Sequence, residues 1–213
     1  MEQNNKETYW SQFTDEYEEK QAFVTGKALI SATQSELLKE KKLGKVLELG
    51  CGTGLYTETM AKNSDSILAT DLSDEMIEMA KKKRGNLKNV KFQKANALNL
   101  EYENESFDTV FMANLIHVIG NAEKLIRESN KVLKKGGSII ITSFAIEEMG
   151  FFNRISMGFR FIKTFGKPSK EATSEKTSSK YIASLLLNNG FELMKNIVLG
   201  KKSKSIFLVG KKV

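Results

Sequence analysis

The chain is poor in the residues that build covalent and metal cross-links. Its 213 residues include one cysteine, Cys51, and one histidine, His117. A single cysteine cannot form an internal disulfide, and one cysteine with one histidine is too few for a zinc cluster. No apolar run reaches the length of about 20 residues that a membrane-spanning helix needs. The composition therefore speaks against a disulfide framework, a structural zinc module and a spanning helix, and no His/Asp/Glu cluster suggests any other metal site.

Positive charge is in moderate excess. Lysine and arginine number 33 against 26 aspartates and glutamates, which gives a net charge of +7 and a pI near 9.3. This balance permits an anionic partner without requiring one, because runs such as 81–84 fall at predicted helix ends, where solvated cations are common. The first 20 residues are polar and acidic and do not resemble a secretory signal, so we expect a cytoplasmic protein.

Glycine is concentrated in one stretch, residues 46–54, which read VLELGCGTG. An apolar run that ends in an acid and opens into glycines at every second position predicts a strand, a tight turn and a helix start. The glycines at 50, 52 and 54 do not match the dinucleotide fingerprint, which has its third glycine one position later. No Gly-Lys-Ser/Thr follows the turn, which excludes a P-loop.

The pattern Glu-x-Gly-x-Gly-x-Gly closely resembles the first motif of class I S-adenosylmethionine-dependent methyltransferases. Asp71 ends a second apolar run and is followed by LSDEMI at 72–77, which is similar to the family's Asp-x-Ser-x-x-Met-Ile. The segments FDTVFM at 107–112 and KVLKKGG at 131–137 are similar to its fourth strand and its Arg-Val-Leu-Lys-Pro-Gly-Gly turn. Within the family, the chain looks most like the small-molecule enzymes that include those of quinone biosynthesis and phospholipid methylation.

The alternating strand and helix patterns, together with this resemblance, imply a single domain of the α/β class. We expect a Rossmann-like, doubly wound sheet of seven strands, mostly parallel, with a C-terminal antiparallel hairpin and helices on both faces. The expected parts of 1–213 are a helical lid at 1–44, a cofactor-binding core at 45–144, an aromatic and basic cap insertion at 145–180, and a C-terminal helix and hairpin at 181–213. Helices are predicted over 22–42, 55–62, 74–84 with Ser73 as N-cap, and 122–135.

The resemblance implies S-adenosylmethionine as cofactor and S-adenosylhomocysteine as product. Main-chain groups of the glycine turn would hold the methionine part, while Glu48 would orient the turn or meet the donor's ammonium. Asp71 would bind the ribose hydroxyls through two acceptor oxygens. Asn96 stands where the family often has Asp, but its carbonyl oxygen can still accept a hydrogen bond from the adenine amine. The predicted cofactor contacts are Glu48, Gly50, Cys51, Gly52, Gly54, Asp71, Leu72, Met76, Asn96, Ala97, Ala113 and Asn114.

Two residues are candidates for the acceptor side of the site. His117 follows the predicted fourth strand, and ligands bind outside the carboxyl ends of the strands in such sheets. Its ordinary pKa of about 6.5 would let it take a proton from an attacking oxygen or nitrogen, although packing on an apolar helix is the alternative. Tyr17 ends an aromatic stretch with Tyr9, Trp10 and Phe13 that would either dock on the core or, as in similar enzymes, close over the substrate.

Residues 149–165 combine many apolar side chains with the cations Arg154, Arg160 and Lys163. A loop after the fifth strand has no need for so many apolar groups unless they cover something. They would form either a cap on the active-site mouth or a basic amphipathic helix on a membrane surface, and both arrangements indicate a partly apolar acceptor. The polar segment 167–179 is predicted to be a hinge.

The expected reaction is transfer of the sulfonium methyl group to an oxygen, nitrogen or carbon of a small molecule by in-line displacement. Two alternatives stay open, an RNA methyltransferase that uses the basic surface and a non-catalytic regulator that binds the cofactor. Enzymes that methylate amines of nucleic-acid bases usually carry Asn/Asp-Pro-Pro-aromatic after strand four, where this chain has ANLI at 113–116. A small-molecule acceptor is therefore expected rather than a nucleic acid, and the oligomeric state is left open.

Overall fold

A central sheet organises the chain. The computed structural model describes residues 13–167 and 178–213. Its strands are β1 (Lys45–Leu49), β2 (Ser66–Asp71), β3 (Val90–Lys94), β4 (Phe107–Ala113), β5 (Leu133–Phe144), β6 (Phe191–Leu199) and β7 (Ser205–Lys212). They form a seven-stranded sheet in the order β3-β2-β1-β4-β5-β7-β6, in which the first five pair in parallel and β7 is antiparallel to β5 and β6. The predicted sheet, mostly parallel with a C-terminal antiparallel hairpin, is confirmed.

Helices cover both faces of the sheet, as predicted. In the described residues they are α1 (Tyr17–Thr25), α2 (Lys27–Leu37), α3 (Thr57–Met60), α4 (Asp74–Arg84), α5 (Ala122–Val132), α6 (Phe151–Phe165) and α7 (Ser179–Asn188). Val46 of β1 belongs to one core cluster with Leu37 of α2, and Leu47 belongs to the other with Ile126 of α5. Neighbouring residues of a strand point to opposite faces, so a strand covered on both sides must be apolar along its whole length.

The strand order reverses between β1 and β4, because β2 and β3 lie on one side of this pair and β5 lies on the other. At the carboxyl end of β1, Leu49 pairs in register with Thr70 of β2 and with Met112 of β4. The residues that follow these three strands therefore meet at one edge of the sheet. In doubly wound sheets, this reversal point is where ligands bind.

Helix α4 begins and ends at the predicted residues. The hydroxyl of Ser73 accepts a hydrogen bond from the backbone N–H of Met76 at 3.1 Å, as expected of an N-cap. Asp74 and Glu75 occupy the first turn, and the basic run 81–84 occupies the last, so charges at both ends complement the helix dipole. Strong local signals explain why this element could be predicted accurately.

The single helix predicted over 22–42 is wrong. The structure has two helices there, α1 and α2, separated by Gly26 with φ of 91°. A left-handed backbone conformation interrupts the helix, and glycine adopts it without the steric cost of a Cβ. Tyr9 and Trp10 of the predicted aromatic stretch lie outside the described residues, as does 168–177 of the predicted hinge.

Two other predicted elements differ in length. The helix predicted over 55–62 is limited to α3, and the helix predicted to reach residue 135 ends at Val132. The glycine pair at 136–137 lies inside β5 rather than in a turn before it. The pairing of β4 with β5 shifts there, from Phe107 with Leu133 to Thr109 with Ser138. Gly136 has φ of 69°, so it takes up this irregularity in a conformation that favours glycine.

Candidate functional site

A cavity lies at the reversal point of the sheet, between the ends of β1, β2 and β4 and the helices α1 and α6. The predicted site residues that line it are Tyr17, Gly50, Gly52, Asp71, Leu72, Met76, Asn96, Ala97, Ala113, Asn114 and His117. Glu48, Cys51 and Gly54 are not among its lining residues. The structure thus brings most of the predicted residues to one space, while the role of each stays a prediction.

The glycine turn presents main chain to the cavity. Gly50, Gly52 and Gly54 have positive φ values of 69°, 53° and 86°. A Cβ on Gly50 would lie 3.0 Å from Cδ1 of Leu115, and a Cβ on Gly54 would lie 2.8 Å from Cδ of Arg84. Gly50 and Gly52 leave the backbone open towards the cavity, whereas Gly54 is needed because the side chain of Arg84 passes close to it.

Glu48 lies at the end of β1 with only 1% of its surface exposed. Its Oε2 accepts a hydrogen bond from the hydroxyl of Thr57, the first residue of α3, at 2.5 Å. Burial raises the pKa of Glu48 to about 8, although the hydrogen bond from Thr57 acts in the opposite direction. The carboxyl therefore links the strand before the glycine turn to the helix after it, a contact consistent with orienting the turn.

Asp71 connects the glycine turn with the start of α4. Its Oδ2 accepts from the N–H of Gly52 at 2.9 Å, and its Oδ1 accepts from the N–H of Ser73 at 3.0 Å. The same carboxylate lines the cavity. A carboxylate can accept more than these two bonds, so the geometry is compatible with the predicted contact to a pair of hydroxyls.

Two asparagines shape the rim of the cavity. The Oδ1 of Asn96 accepts from the N–H of Leu98 at 2.9 Å, so the oxygen predicted to meet a ligand also holds its own loop. Asn114, directly after β4, has φ of 54°, and its N–H donates to the carbonyl of Thr142 at 2.8 Å. Asparagine enters this left-handed region more readily than most residues, which explains its place where the chain turns away from the strand.

His117 lies in the loop after β4 and faces the cavity. Its Nδ1 forms a hydrogen bond with the hydroxyl of Ser143 at 3.2 Å, and its ring lies 5.0 Å from that of Phe144 between centroids. Removal from water lowers the pKa of His117 to about 4. The imidazole is therefore neutral at pH 7, and it is positioned by two side chains at the end of β5 that sequence patterns did not single out.

Tyr17 stands over the glycine turn at the start of α1. A Cβ on Gly52 would lie 3.6 Å from Cε1 of Tyr17, and the tyrosine ring lies 6.2 Å from that of Phe165. Burial, followed by the negative charge of Asp71, raises the pKa of the Tyr17 hydroxyl. The residue thus connects α1, the glycine turn and α6, which is compatible with both predicted roles, docking and closure.

A cluster of charged and polar groups fastens α1 to the turn. Glu18 accepts hydrogen bonds from Nη1 of Arg84 and from the hydroxyl of Thr53, each at 2.8 Å. Nη1 of Arg84 also donates to the carbonyl of Thr53 at 2.9 Å. Partial burial opposes ionisation of Glu18, but the bonds from Arg84 and Thr53 outweigh it and lower its pKa.

Arg84 corrects one sequence interpretation. The basic run 81–84 was expected to be solvated, yet Arg84 is only 7% exposed. It turns towards Glu18 and Glu58, and its Nε lies 3.2 Å from the carboxylate of Glu58. No local sequence signal separates this arginine from its lysine neighbours, since its partners come from distant segments of the chain.

Aromatic side chains close the acceptor side of the cavity. Phe144 at the end of β5 and Phe161 and Phe165 of α6 line the same space as Tyr17 and His117. The rings of Phe161 and Phe165 lie 5.3 Å apart, and Phe13 meets Phe165 edge-on at 5.2 Å. Part of the 149–165 segment therefore packs over the cavity. Among the described lining residues, only Asp71 carries a formal charge when His117 is neutral.

Within residues 13–167 and 178–213, none of the helices combines the length and the apolar character that crossing a bilayer would require.

Comparison with known proteins agrees with this geometry. A family model described as a methyltransferase domain matches residues 47–141, from β1 into β5. The demethylmenaquinone methyltransferase of Staphylococcus aureus is 28% identical over 136 residues, which cover 60% of this chain and 56% of the relative. The chain thus spans a little over half the length of the curated relatives it matches.

Solved structures share the fold over nearly the whole chain. An S-adenosylmethionine-dependent methyltransferase from Thermotoga maritima superposes with a TM-score of 0.73 at 21% identity, covering 97% of this chain and 99% of its own. A second from Aquifex aeolicus has a TM-score of 0.69 at 21% identity, with 92% and 98% covered. The fold similarity therefore includes α1, α6 and the hairpin, which lie outside the matched family segment.

Proposed function

We propose that this chain, which carries a class I S-adenosylmethionine-dependent methyltransferase domain, transfers a methyl group to a small, neutral and partly apolar acceptor. The observation that supports this most is the cavity, because the glycine turn, Asp71 and a wall of aromatic rings all face the same space. In-line methyl transfer needs donor and acceptor aligned together in a site from which water is excluded.

The residues present fit S-adenosylmethionine. Gly50 and Gly52 leave main-chain groups uncovered for the methionine part, and Asp71 offers carboxylate oxygens to the ribose hydroxyls. Met76, which is buried in α4 and lines the cavity, provides an apolar contact for the adenine ring, whose edge would meet Asn96. When bound, the cofactor supplies an electrophilic methyl group on a sulfonium.

The chain's own part in the reaction is to exclude water and to accept a proton. Tyr17, Phe144 and Phe165 surround the acceptor space with rings. His117 is neutral at pH 7, the form that can take a proton from an acceptor hydroxyl. In the tautomer whose Nδ1–H donates to the hydroxyl of Ser143, the lone pair that takes this proton is on Nε2. A base with a pKa of about 4 is weak, so it suits an acceptor that becomes acidic as the new bond forms.

The character of the cavity wall supports a neutral acceptor. A charged acceptor would lose its hydration without gaining a partner, because the one formally charged side chain among the described lining residues, Asp71, is assigned to the ribose hydroxyls. Aromatic rings would instead stack with Phe144, Phe161 or Phe165. The name of the staphylococcal relative, demethylmenaquinone methyltransferase, points to the same class of acceptor. We therefore propose that the acceptor of this chain is a hydroxylated aromatic or quinone-type ring.

The test is transfer of labelled methyl groups from S-adenosylmethionine to three pools: hydroxylated naphthalenes, small amines and total RNA. We expect label in the hydroxylated rings, and a strong reduction with Asp71→Asn but not with Glu78→Gln, an exposed residue of α4. Label in RNA alone would contradict the proposal and favour the RNA alternative. Binding of the cofactor without transfer to any pool would contradict it in favour of a regulator.

A further inference from the structure

Helix α6 exposes a stripe of large apolar side chains. The exposed fractions are 70% for Phe151, 83% for Phe152, 56% for Ile155, 69% for Phe159 and 51% for Ile162. Phe152, Ile155, Phe159 and Ile162 recur at steps of three and four residues, and Phe151 lies four residues before Ile155, which places all five along one side of the helix. Contiguous exposed apolar surface of this kind marks an interaction site in most proteins.

The stripe is separate from the part of α6 that covers the cavity. Met157 and Phe165 are only 5% and 6% exposed and belong to a cluster with Val24 of α1. The exposed surface extends from α6 to α1, because Phe23 is 53% exposed and its carbonyl accepts a hydrogen bond from Nη1 of Arg160 at 3.1 Å. The two helices that line the cavity thus share a second, outward apolar surface, made of Phe23 and the stripe.

The charges beside this surface indicate what kind of partner it binds. Residues 150–167 contain Arg154, Arg160, Lys163 and Lys167 and no aspartate or glutamate. A second copy of the chain would bring the same cations face to face, which disfavours a symmetric dimer through this surface. An anionic surface with an apolar interior below it satisfies both the cations and the aromatic side chains.

We propose that the outward surface of α6 and Phe23 docks on a lipid bilayer that contains anionic lipids. The phenylalanines would enter the boundary between headgroups and acyl chains, and the cations would lie at the level of the lipid phosphates. Because Phe161 and Phe165 of the same helix line the cavity, docking would place the cavity beside the bilayer. A lipid-soluble acceptor could then enter with little exposure to water; this last step rests on the proposed function, whereas docking does not.

Flotation of the full chain with vesicles tests the proposal. Vesicles of phosphatidylcholine with phosphatidylglycerol are compared with vesicles of phosphatidylcholine alone, at low and high salt. We expect binding to the anionic vesicles that weakens with salt, and binding to the neutral vesicles that is at least about tenfold weaker.

Paired variants separate the two contributions. Phe152→Ser with Phe159→Ser should reduce binding more than about tenfold through lost apolar burial. Arg154→Gln with Lys163→Gln should reduce it by about tenfold and remove the preference for anionic lipid. The controls change other exposed residues outside the surface. Leu187→Ser with Met194→Ser, on α7 and β6, is the control for the apolar pair, and Lys201→Gln with Lys202→Gln, on the turn after β6, is the control for the cationic pair.

Three results would overturn the proposal: no binding of the unaltered chain to anionic vesicles, an equal loss with the controls, or self-association in sedimentation that Phe152→Ser with Phe159→Ser abolishes. Each variant is also tested for thermal unfolding and for binding of S-adenosylhomocysteine. Vesicle binding by a chain that binds no cofactor would keep the docking proposal and reject the proposed function.

Discussion

Glu48 makes the stability of this protein depend on pH in an unusual direction. Its carboxyl group is buried beneath the glycine turn, and burial raises its pKa from 4.5 to about 8. Between these values the folded chain keeps the proton and the unfolded chain releases it. The free energy of unfolding therefore falls as the pH rises through this window, at about 1.4 kcal/mol per pH unit.

His117 acts in the opposite direction over part of the same range. Its pKa falls from 6.5 to about 4 on folding, so between pH 4 and 6.5 the unfolded chain binds the extra proton and stability rises with pH. The two effects nearly cancel from pH 4.5 to 6.5. From pH 6.5 to 8 Glu48 dominates, because the unfolded state of His117 releases only its remaining half proton there. The unaltered protein should lose about 1.2 kcal/mol of unfolding free energy over this range.

Urea unfolding at pH 6.5, 7, 7.5 and 8 measures this loss, and Glu48→Gln isolates it. Glutamine keeps the shape and the hydrogen bond with Thr57 but has no proton to release, so the variant should be nearly flat across the window. Glu78→Gln on the exposed side of α4 serves as control and should retain the slope of the unaltered protein. Equal slopes for Glu48→Gln and the unaltered protein would refute the reasoning.

Three further predictions concern the cavity and the contacts of α1. Asp71→Asn should weaken binding of S-adenosylmethionine in calorimetry by about 1 to 3 kcal/mol, since a charged acceptor is lost; unchanged affinity would remove its ribose role. His117→Gln should lower kcat while the affinity for S-adenosylhomocysteine stays within about twofold, and equal losses in both would indicate packing. Glu18→Gln should lower the free energy of unfolding at pH 7 by about 1 kcal/mol, because it breaks a partly buried pair with Arg84. Because folding lowers the pKa of Glu18, this stabilisation is fully present above the pKa of glutamate in the unfolded chain and is lost as the pH falls through the pKa of Glu18 in the folded chain. The effect of the variant should therefore vanish in acid.

Much of the fold could be predicted because its signals are local. The bounds of α4 follow from Ser73 and from charges at both helix ends, and the strands around Val46 and Phe111 follow from apolar runs buried on both faces. The glycine spacing at 50–54 and the acid at the end of β2 were sufficient to predict that the glycine turn and Asp71 lie at one cavity. Such signals depend on backbone geometry rather than on partners far along the chain.

The parts that could not be predicted depend on distant contacts. Glu18 and Arg84 are 66 residues apart in sequence, and neither belongs to a recognisable pattern. The environment of His117 is set by Ser143 and Phe144, which only the pairing of β4 with β5 brings near. The break at Gly26, where φ is 91°, was missed because an isolated glycine is also tolerated inside helices.

The segment 149–165 illustrates an intermediate case. Its sequence predicted either a cap on the cavity or a helix at a membrane surface, and apolar composition alone could not separate the two. In the structure Phe165 is buried over the cavity while Phe152 points outward with 83% of its surface exposed. One helix therefore has a face for each role, and the membrane role stays a proposal.

The central claim is that the cavity at the glycine turn binds S-adenosylmethionine. Calorimetric titration of the purified chain with S-adenosylmethionine and with S-adenosylhomocysteine tests it most directly. We predict that both bind with about one molecule per chain, and that Asp71→Asn weakens both. Absence of heat and of any stabilisation against unfolding with either compound would contradict the account, and every cofactor contact assigned to the cavity would have to be withdrawn.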